Sequence, residues 1–380
     1  MKKIIKLLFL ILIMIFVFNI NEKNYTYKDN GIMYALKIDN QKVNSFPEKG
    51  LYKVSVDCKN AEGAWLYEEW KLAIENISGD VSCNINFSTQ NKIYLNDYII
   101  SLAVSSQGNG KVIDENGFRY EGKNPNNYVQ FNNELWRIIG VFDSASHGIS
   151  NKNLVKIIRS ESLDGIAWDK SNTNNWGSAS LNKLLNGAYY NAEDGTESGY
   201  CYGYSTMSKA NCNYVYRGIQ NNYRNFIVNV TWYLGGYSSL YQTTEAFYNA
   251  ERSSSVYKGR PTSSTGYIGL MYPSDYGYSV LGSECDRTTN LVNYNYSCAG
   301  LSWLYLGFKE WCITHSINKS ASVSYLSYDS SIDRGSMDTS DSGTTGTYHG
   351  FGHRPVLYLN SSVYIIDGDG SITNPYIIAM

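Results

Sequence analysis

The chain has 380 residues, with 32 basic and 34 acidic side chains and a formal net charge of −2. This balance provides neither a basic surface for nucleic acid nor an acidic tail, so we expect no nucleic-acid partner. Tyrosine is the unusual component, with 35 residues. Its large ring with a polar tip suits binding surfaces, although codon bias in an AT-rich genome explains the same excess.

The first 24 residues predict an export signal. Lysines occupy positions 2, 3 and 6, and positions 7–18 form an unbroken apolar run, as in a signal peptide. The run is short for a membrane-spanning helix, which needs about 20 residues, and no small-x-small cleavage site follows it. Two outcomes stay open: a cleaved signal peptide, or a retained signal anchor that would be the only contact with a membrane.

Six of the seven cysteines form close sequence pairs, which predict three disulfides and an extracellular or cell-surface location. The pairs are Cys58 with Cys83, Cys201 with Cys212, and Cys285 with Cys298. Cys312 is left over, and we expect a small buried residue there. His315 would point to the opposite face of the same strand, which argues against a thiol and imidazole nucleophile pair.

Residues 25–90 predict a small β-sandwich-like domain with one disulfide. Strand-like runs occupy 32–38, 50–58, 65–74 and 81–87, and turn-prone segments separate them. Alternation from Tyr52 to Cys58 places Cys58 on the same face as Tyr52, opposite Cys83 on a later strand.

The rest of the chain predicts an α+β fold. Residues 91–117 are interpreted as a short helix at 95–103 followed by a linker, with a hinge at 104–110. From residue 118 to residue 380 we expect one large, loop-rich domain of short strands with two helices, at 181–190 and 244–252.

Three segments carry a resemblance to a known group of proteins. Residues 126–140, 268–278 and 352–359 resemble segments of uncharacterised bacterial exported proteins, over about residues 118–380. Such domains look like distant relatives of the C-type-lectin-like fold that formylglycine-generating enzymes share. Those enzymes use a neighbouring cysteine pair, which this sequence lacks, so their activity is not implied.

The segment 272–278 is the most site-like part of the sequence. Tyr272, Tyr276 and Tyr278 surround Asp275 in what we interpret as a proline and glycine turn after a strand. Aromatic faces and a carboxylate suit a sugar or peptide ligand, whereas an aspartate in such a turn also caps the backbone. The predicted ligand-binding residues are therefore these four, widened by loop aromatic residues: Trp168, Trp176, Tyr237 and Tyr241.

Arg354 precedes a proline at the start of a predicted strand. An arginine at such a place often pairs with a buried carboxylate, and we expect Asp275 to be its partner. Trp136 is expected in the core, on one strand face with Ile138 and Gly140.

The sequence contains no established metal pattern, and we expect no cofactor, with calcium as an open alternative. Weak calcium candidates are two aspartate groups, neither with EF-hand spacing: Asp367 with Asp369, and Asp333 with Asp338 and Asp341. His349 and His353 lack the further ligands that zinc requires.

The first functional hypothesis is an exported, disulfide-stabilised, adhesin-like protein of the cell surface that binds a glycan or a protein without catalysis. The second is an extracellular hydrolase or modifying enzyme, with its carboxylates among Glu251, Asp275, Asp333 and Asp341. The third is a structural envelope protein.

Overall fold

A computed structural model describes residues 27–29, 32–48, 52–67, 69–89, 91–203, 210–283, 285–336 and 351–380. The chain divides between Lys92 and Ile93 into two compact units. Helices and strands are mixed in it, as expected of an α+β chain. The predicted export signal lies outside the described residues. Within them, no helix is long and apolar enough to cross a membrane.

The described part of the first unit is built from strands and turns. One sheet has the order β1–β2–β7–β4, with β3 paired to β2, and β5 and β6 form a separate hairpin. The bounds of these strands are β1 Tyr27–Asp29, β2 Ile32–Ile38, β3 Gln41–Val43, β4 Tyr52–Lys59, β5 Glu62–Leu66, β6 Lys71–Glu75 and β7 Val81–Thr89.

Cys58 lies directly opposite Cys83 in the antiparallel pair β4–β7, and the two form a disulfide. The predicted alternation in β4 is confirmed, because Tyr52, Val54, Val56 and Cys58 are its partly buried residues. The predicted strand at 65–74 is wrong. A turn that contains Trp70 at a φ of 49° separates β5 from β6, and this turn lets Trp70 pack edge-on against Trp65, with ring centroids 5.2 Å apart.

The second unit contains a ten-stranded sheet, in which β13 pairs with β11, β12 and β14, and β14 also pairs with β22. Its strands are β8 Ile93–Tyr94, β9 Ala103–Val104, β10 Val112–Asp114, β11 Phe118–Tyr120, β12 Tyr128–Phe131, β13 Glu134–Phe142, β14 Leu154–Arg159, β22 Val356–Leu359, β23 Tyr364–Asp367 and β24 Tyr376–Ala379. Residues 91–117, predicted as a helix and a linker, thus contribute β8, β9 and β10 to this sheet.

Two smaller sheets contain the other described strands of the second unit. One has the order β15–β21–β18–β19–β20, and the other is the hairpin β16–β17. Their bounds are β15 Leu163–Ile166, β16 Val230–Tyr233, β17 Ser263–Gly266, β18 Glu310–His315, β19 Ser322–Leu326, β20 Ile332–Ser336 and β21 Phe351–His353.

The described helices of the second unit are short. They are α1 Leu95–Ser101, α2 Ser144–His147, α3 Ser180–Leu184, α4 Thr244–Glu251, α5 Pro273–Ser279 and α6 Tyr296–Ala299. A π-helical turn at Leu185–Tyr189 continues α3, and 3₁₀ turns occupy Trp176–Ser178, Asn221–Phe226 and Leu291–Asn293. Helices were predicted near α1, α3 and α4.

Helix α5 was not predicted, because its sequence was interpreted as a turn. Pro273 occupies its first position, where the missing N–H costs nothing. Two residues later, the Asp275 carboxylate accepts a hydrogen bond from the backbone N–H of Tyr272 at 3.0 Å. The preceding residues are not the predicted strand, since in this segment Gly269 alone exchanges backbone hydrogen bonds with Val356.

Candidate functional site

The four residues of the predicted binding segment are buried and therefore cannot form a shallow ligand surface. The Tyr272 hydroxyl donates to the Tyr233 carbonyl at 2.9 Å, and the Tyr276 hydroxyl donates to the Ser330 carbonyl at 2.8 Å. Tyr278 accepts from the Asn116 amide at 2.7 Å. Each tyrosine hydroxyl of this buried segment thus has a hydrogen-bond partner in another segment of the protein, which is a structural role.

The aromatic residues that were predicted to widen this surface mostly lie in the core. Trp168 and Trp176 are fully buried, with ring centroids 5.2 Å apart, and the Trp168 indole donates to the Cys312 carbonyl. Tyr237 is buried as well, whereas Tyr241 is exposed. Trp168 and Trp176 are therefore corrected from ligand contacts to core residues.

The predicted pairing of Arg354 with Asp275 is wrong. Arg354 is buried, but its guanidinium donates to Glu310 of β18 at 2.6 and 2.9 Å and to the Leu304 carbonyl at 2.6 Å. A fork-like pair of this kind compensates a buried charge well. The expectation of a structural ion pair at Arg354 holds, with a different carboxylate as partner.

Asp275 instead lies between two buried cations. Its Oδ1 is 3.0 Å from a guanidinium nitrogen of Arg119, and its Oδ2 is 2.5 Å from Lys156 Nζ. All three side chains are almost completely buried. Burial favours the neutral acid, but the charges of Lys156 and Arg119 outweigh it and lower the pKa of Asp275 to about 2.

The sheet explains how two cations reach one carboxylate. Arg119 of β11 and Lys156 of β14 are both register partners of Gly140 on β13, so the three residues form a row across three strands. A Cβ atom at Gly140 would lie 2.3 Å from the Phe118 carbonyl oxygen. The glycine thus permits the close approach of β11, and the side chains of Arg119 and Lys156 converge on Asp275.

A second carboxylate is buried beside this triad. Glu251, the last residue of α4, accepts hydrogen bonds from the Ser274 backbone N–H at 3.0 Å and the Ser274 hydroxyl at 2.5 Å. The oxygen that accepts from the Ser274 hydroxyl, Oε2, also lies 3.1 Å from a guanidinium nitrogen of Arg252. Burial raises the pKa of Glu251 to about 7, against the effects of Arg252 and Ser274.

Aromatic rings enclose the cations of the triad. The Arg119 guanidinium lies 4.4 Å from the Phe142 ring centroid and 4.5 Å from that of Tyr278. Lys156 Nζ lies 4.6 Å from the Tyr272 ring centroid, and burial lowers its pKa to about 8 despite the opposing effect of Asp275. Lys156 and Asp275 have shifted pKa values, but the triad has no exposed face, so the arrangement as it stands does not offer a substrate site.

The remaining hydrolase candidates do not add to a site. Asp333 accepts a hydrogen bond from the Tyr325 hydroxyl at 3.0 Å, and Asp341 lies outside the described residues. Of the three proposed carboxylates that the structure describes, Glu251 and Asp275 are buried and already paired with cations. The structure therefore brings Glu251 and Asp275 together as buried neighbours of Ser274.

Cys312 and the histidines also lie in the core. All seven cysteines are in the described part of the chain, where three pairs are disulfide-bonded as predicted and Cys312 is free and buried. Burial raises the pKa of the Cys312 thiol and lowers that of His315 to about 4, so neither is in the form that an ion-pair nucleophile requires. His353 is buried, and His349 is outside the described residues.

Of the calcium candidates that the structure describes, Asp333 lies in strand β20, whereas Asp367 and Asp369 lie at and just after the end of strand β23. Asp367 and Asp369 are exposed and accept hydrogen bonds from the backbone N–H groups of Gly368 and Ser371. Asp338 and Asp341 lie in the segment that the structure does not describe. Among the described residues, no group of three or more His, Cys, Asp or Glu side chains is arranged to hold a metal ion.

Exposed tyrosines form a different cluster, which the sequence reasoning missed. Tyr296 is 65% exposed and Tyr328 is 52% exposed, and their ring centroids are 6.4 Å apart. The hydroxyl of Tyr305, which is partly exposed, donates to the Tyr328 carbonyl. We call Tyr296, Tyr305 and Tyr328 the tyrosine patch.

The tyrosine patch is stabilised by local structure. Tyr296 begins helix α6, and the Asn295 side chain caps this helix by accepting from the Ser297 backbone N–H at 2.8 Å. Cys298 in the same helix is bonded to Cys285. A positive charge lies beside the patch, since Lys309 Nζ is 5.5 Å from the Tyr328 ring centroid. The sequence signal that could have identified the patch was the position of Tyr296 inside the loop that Cys285 and Cys298 close.

Comparison with known proteins identifies neither a family nor a function for this chain. No protein-family model, no curated protein and no solved structure matches the chain.

Proposed function

We propose that the chain is an exported, non-enzymatic binding protein of the cell surface, adhesin-like, that recognises a glycan through the tyrosine patch. The observation that carries the proposal is the pair of exposed rings of Tyr296 and Tyr328, beside a disulfide-anchored helix. Exposed aromatic residues that lie together mark interaction sites more often than scattered ones do.

A glycan suits the chemistry of this patch. Sugar rings have apolar C–H faces and hydroxyl rims. The tyrosine rings offer apolar faces, their hydroxyl groups and Lys309 offer donors, and the partly exposed Asp329 beside Tyr328 offers an acceptor. A few polar groups around an aromatic surface are what orients a small ligand.

Export is supported by the three disulfides, which are typical of oxidising compartments. Within this proposal, residues 1–24 are the signal peptide or anchor, 25–90 are a β-sandwich-like spacer, and 118–380 have a C-type-lectin-like fold. Calcium has no part in the proposed binding. Carboxylates poised for hydrolysis are not assembled at a surface in the described residues, so we favour binding over catalysis.

A glycan array tests the proposal. Wild-type protein is expected to bind a subset of glycans, and the double variant Tyr296→Ala/Tyr328→Ala is expected to lose at least about fivefold in affinity, since each aromatic contact contributes about 0.5–1.5 kcal/mol. Tyr216→Ala is the matched control, because Tyr216 is 93% exposed and lies outside the patch. Absence of glycan binding by the wild type, or binding that survives in the double variant, would contradict the proposal; a protein ligand is then the next candidate.

A further inference from the structure

The amine of Lys156 and the carboxyl group of Asp275 are in contact at a place that solvent does not reach. Nζ lies 2.5 Å from Oδ2, and both side chains are fully buried. The residues are 119 positions apart in the chain, on β14 and α5. Two reacting groups that a fold keeps in contact react as one molecule, without the entropy cost of an encounter.

The surroundings favour a neutral product over two charges. Four rings lie with their centroids 4.6–5.8 Å from Lys156 Nζ, those of Phe142, Trp232, Tyr272 and Tyr358. Two ions in such a place carry a desolvation penalty that their attraction offsets only in part. Joining them removes both charges and releases water from a site with apolar walls, which opposes the reverse hydrolysis.

Two further buried groups suit the reaction. Arg119 donates to Oδ1 at 3.0 Å, where negative charge develops when an amine adds to the carboxyl carbon. Glu251 accepts from both the backbone N–H and the hydroxyl of Ser274, the residue before Asp275. These bonds position the first turn of α5, which carries Asp275.

We propose that Lys156 and Asp275 condense to an amide, an intramolecular isopeptide cross-link between strand β14 and helix α5. Nζ adds to Cγ, the Nζ–Cγ bond forms and the Cγ–Oδ2 bond breaks. The ammonium group gives up two protons, and Oδ2 takes both and leaves as one water molecule. Atoms and charge balance without any oxidant, reductant or co-reactant.

The cross-link is tested by peptide mapping of the full-length wild-type protein after reduction, alkylation and digestion with trypsin. Lys156 lies in peptide 153–159, and Asp275 lies in peptide 259–287, because trypsin does not cut between Arg260 and Pro261. The expected product is one branched species whose mass is the sum of the two peptides minus one water, with no cleavage after Lys156. Recovery of peptide 259–287 in linear form, together with cleavage after Lys156, would overturn the proposal and leave a buried ion triad.

Two variants assign the bond. Lys156→Met is expected to release peptide 259–287 in linear form at its full mass. Lys183→Met, at an exposed lysine of α3, is the matched control and is expected to keep the branched species. A loss of water in peptide 259–287 that persists in Lys156→Met would overturn the assignment. If Lys156→Met does not fold, the wild-type map still decides between the amide and the ion triad.

Discussion

Two groups of three tyrosines lie close in sequence and have opposite environments. Tyr272, Tyr276 and Tyr278 belong to a segment in which every residue of α5 is buried, and their hydroxyl groups bond to residues of other segments. The tyrosine patch begins 18 residues after Tyr278, at Tyr296, beyond the first cysteine of a disulfide loop. The difference teaches that tyrosine content alone does not locate a binding surface. The same side chain can be a buried, hydrogen-bonded core residue or an exposed aromatic ring.

The strongest way to break the buried group is to remove the side chain of Asp275. Whether the wild type holds the amide or the ion triad, Asp275→Ala leaves Arg119 and Lys156 as buried cations without a partner, so we expect the free energy of unfolding to fall by about 3–5 kcal/mol. Urea denaturation measures the loss. Asp367→Ala is the control, since this exposed aspartate accepts a hydrogen bond from the neighbouring backbone N–H of Gly368, and a change within about 0.5 kcal/mol is expected. Equal effects of the two substitutions would contradict the buried triad.

The stability of the folded protein should also depend on pH, because of the buried carboxyl group of Glu251. Its pKa is raised from 4.5 to about 7 in the folded protein. The folded state therefore holds this proton more tightly than the unfolded state, and the resulting stability is present below pH 4.5 and is lost as the pH rises to 7.

Comparing the wild type with Glu251→Gln isolates this contribution. Relative to the variant, the wild type is expected to lose on the order of 3 kcal/mol between these two pH values. Urea midpoints recorded across the pH range measure the difference. A constant difference between the two proteins would show that Glu251 is not a buried carboxyl group.

The two disulfides of the second unit test whether the exposed tyrosine patch depends on its own disulfide loop. Replacing Cys285 and Cys298 by serine is expected to cost about 3 kcal/mol and also to weaken glycan binding, because Cys298 anchors the helix that begins with Tyr296. The same replacement of Cys201 and Cys212 should cost a similar amount and leave binding unchanged. Thermal unfolding and glycan titration distinguish the pairs. Equal loss of binding in both would argue against a local role of Cys298.

The smallest expected change in the free energy of unfolding comes from removing a single tyrosine hydroxyl group. Tyr276→Phe removes a buried hydrogen bond to the Ser330 carbonyl and is expected to cost about 1–3 kcal/mol. Tyr296→Phe changes an exposed residue and should stay within about 0.5 kcal/mol of the wild type. Urea denaturation of both variants measures the contrast, which a large loss in Tyr296→Phe would contradict.

Features set by local pattern were predictable from the sequence. Period-two alternation placed Cys58 and its neighbours on one face of β4, and close spacing identified the three disulfides. The start of α5 also had a local signal, since a proline followed two residues later by an aspartate is typical of a helix N-terminus. We interpreted that pattern as a turn.

Features set by distant contacts were not predictable. The burial of Asp275 depends on Arg119 and Lys156, which are 156 and 119 positions away. Arg354 likewise pairs with Glu310, which is 44 positions away and is one of 34 acidic residues in the chain. Nothing in the spacing of these residues distinguishes the true partner, because strand order and register decide which side chains meet.

The central claim is that the exposed tyrosines, and not the buried ones, contact the ligand. The direct test is an NMR titration of tyrosine-labelled protein with the glycan that binds most strongly on the array, with ring signals assigned by Tyr→Phe variants. We expect the signals of Tyr296, Tyr305 and Tyr328 to shift while those of Tyr272, Tyr276 and Tyr278 stay in place. Shifts confined to the buried group, or no shift in the patch at saturation, would contradict the account.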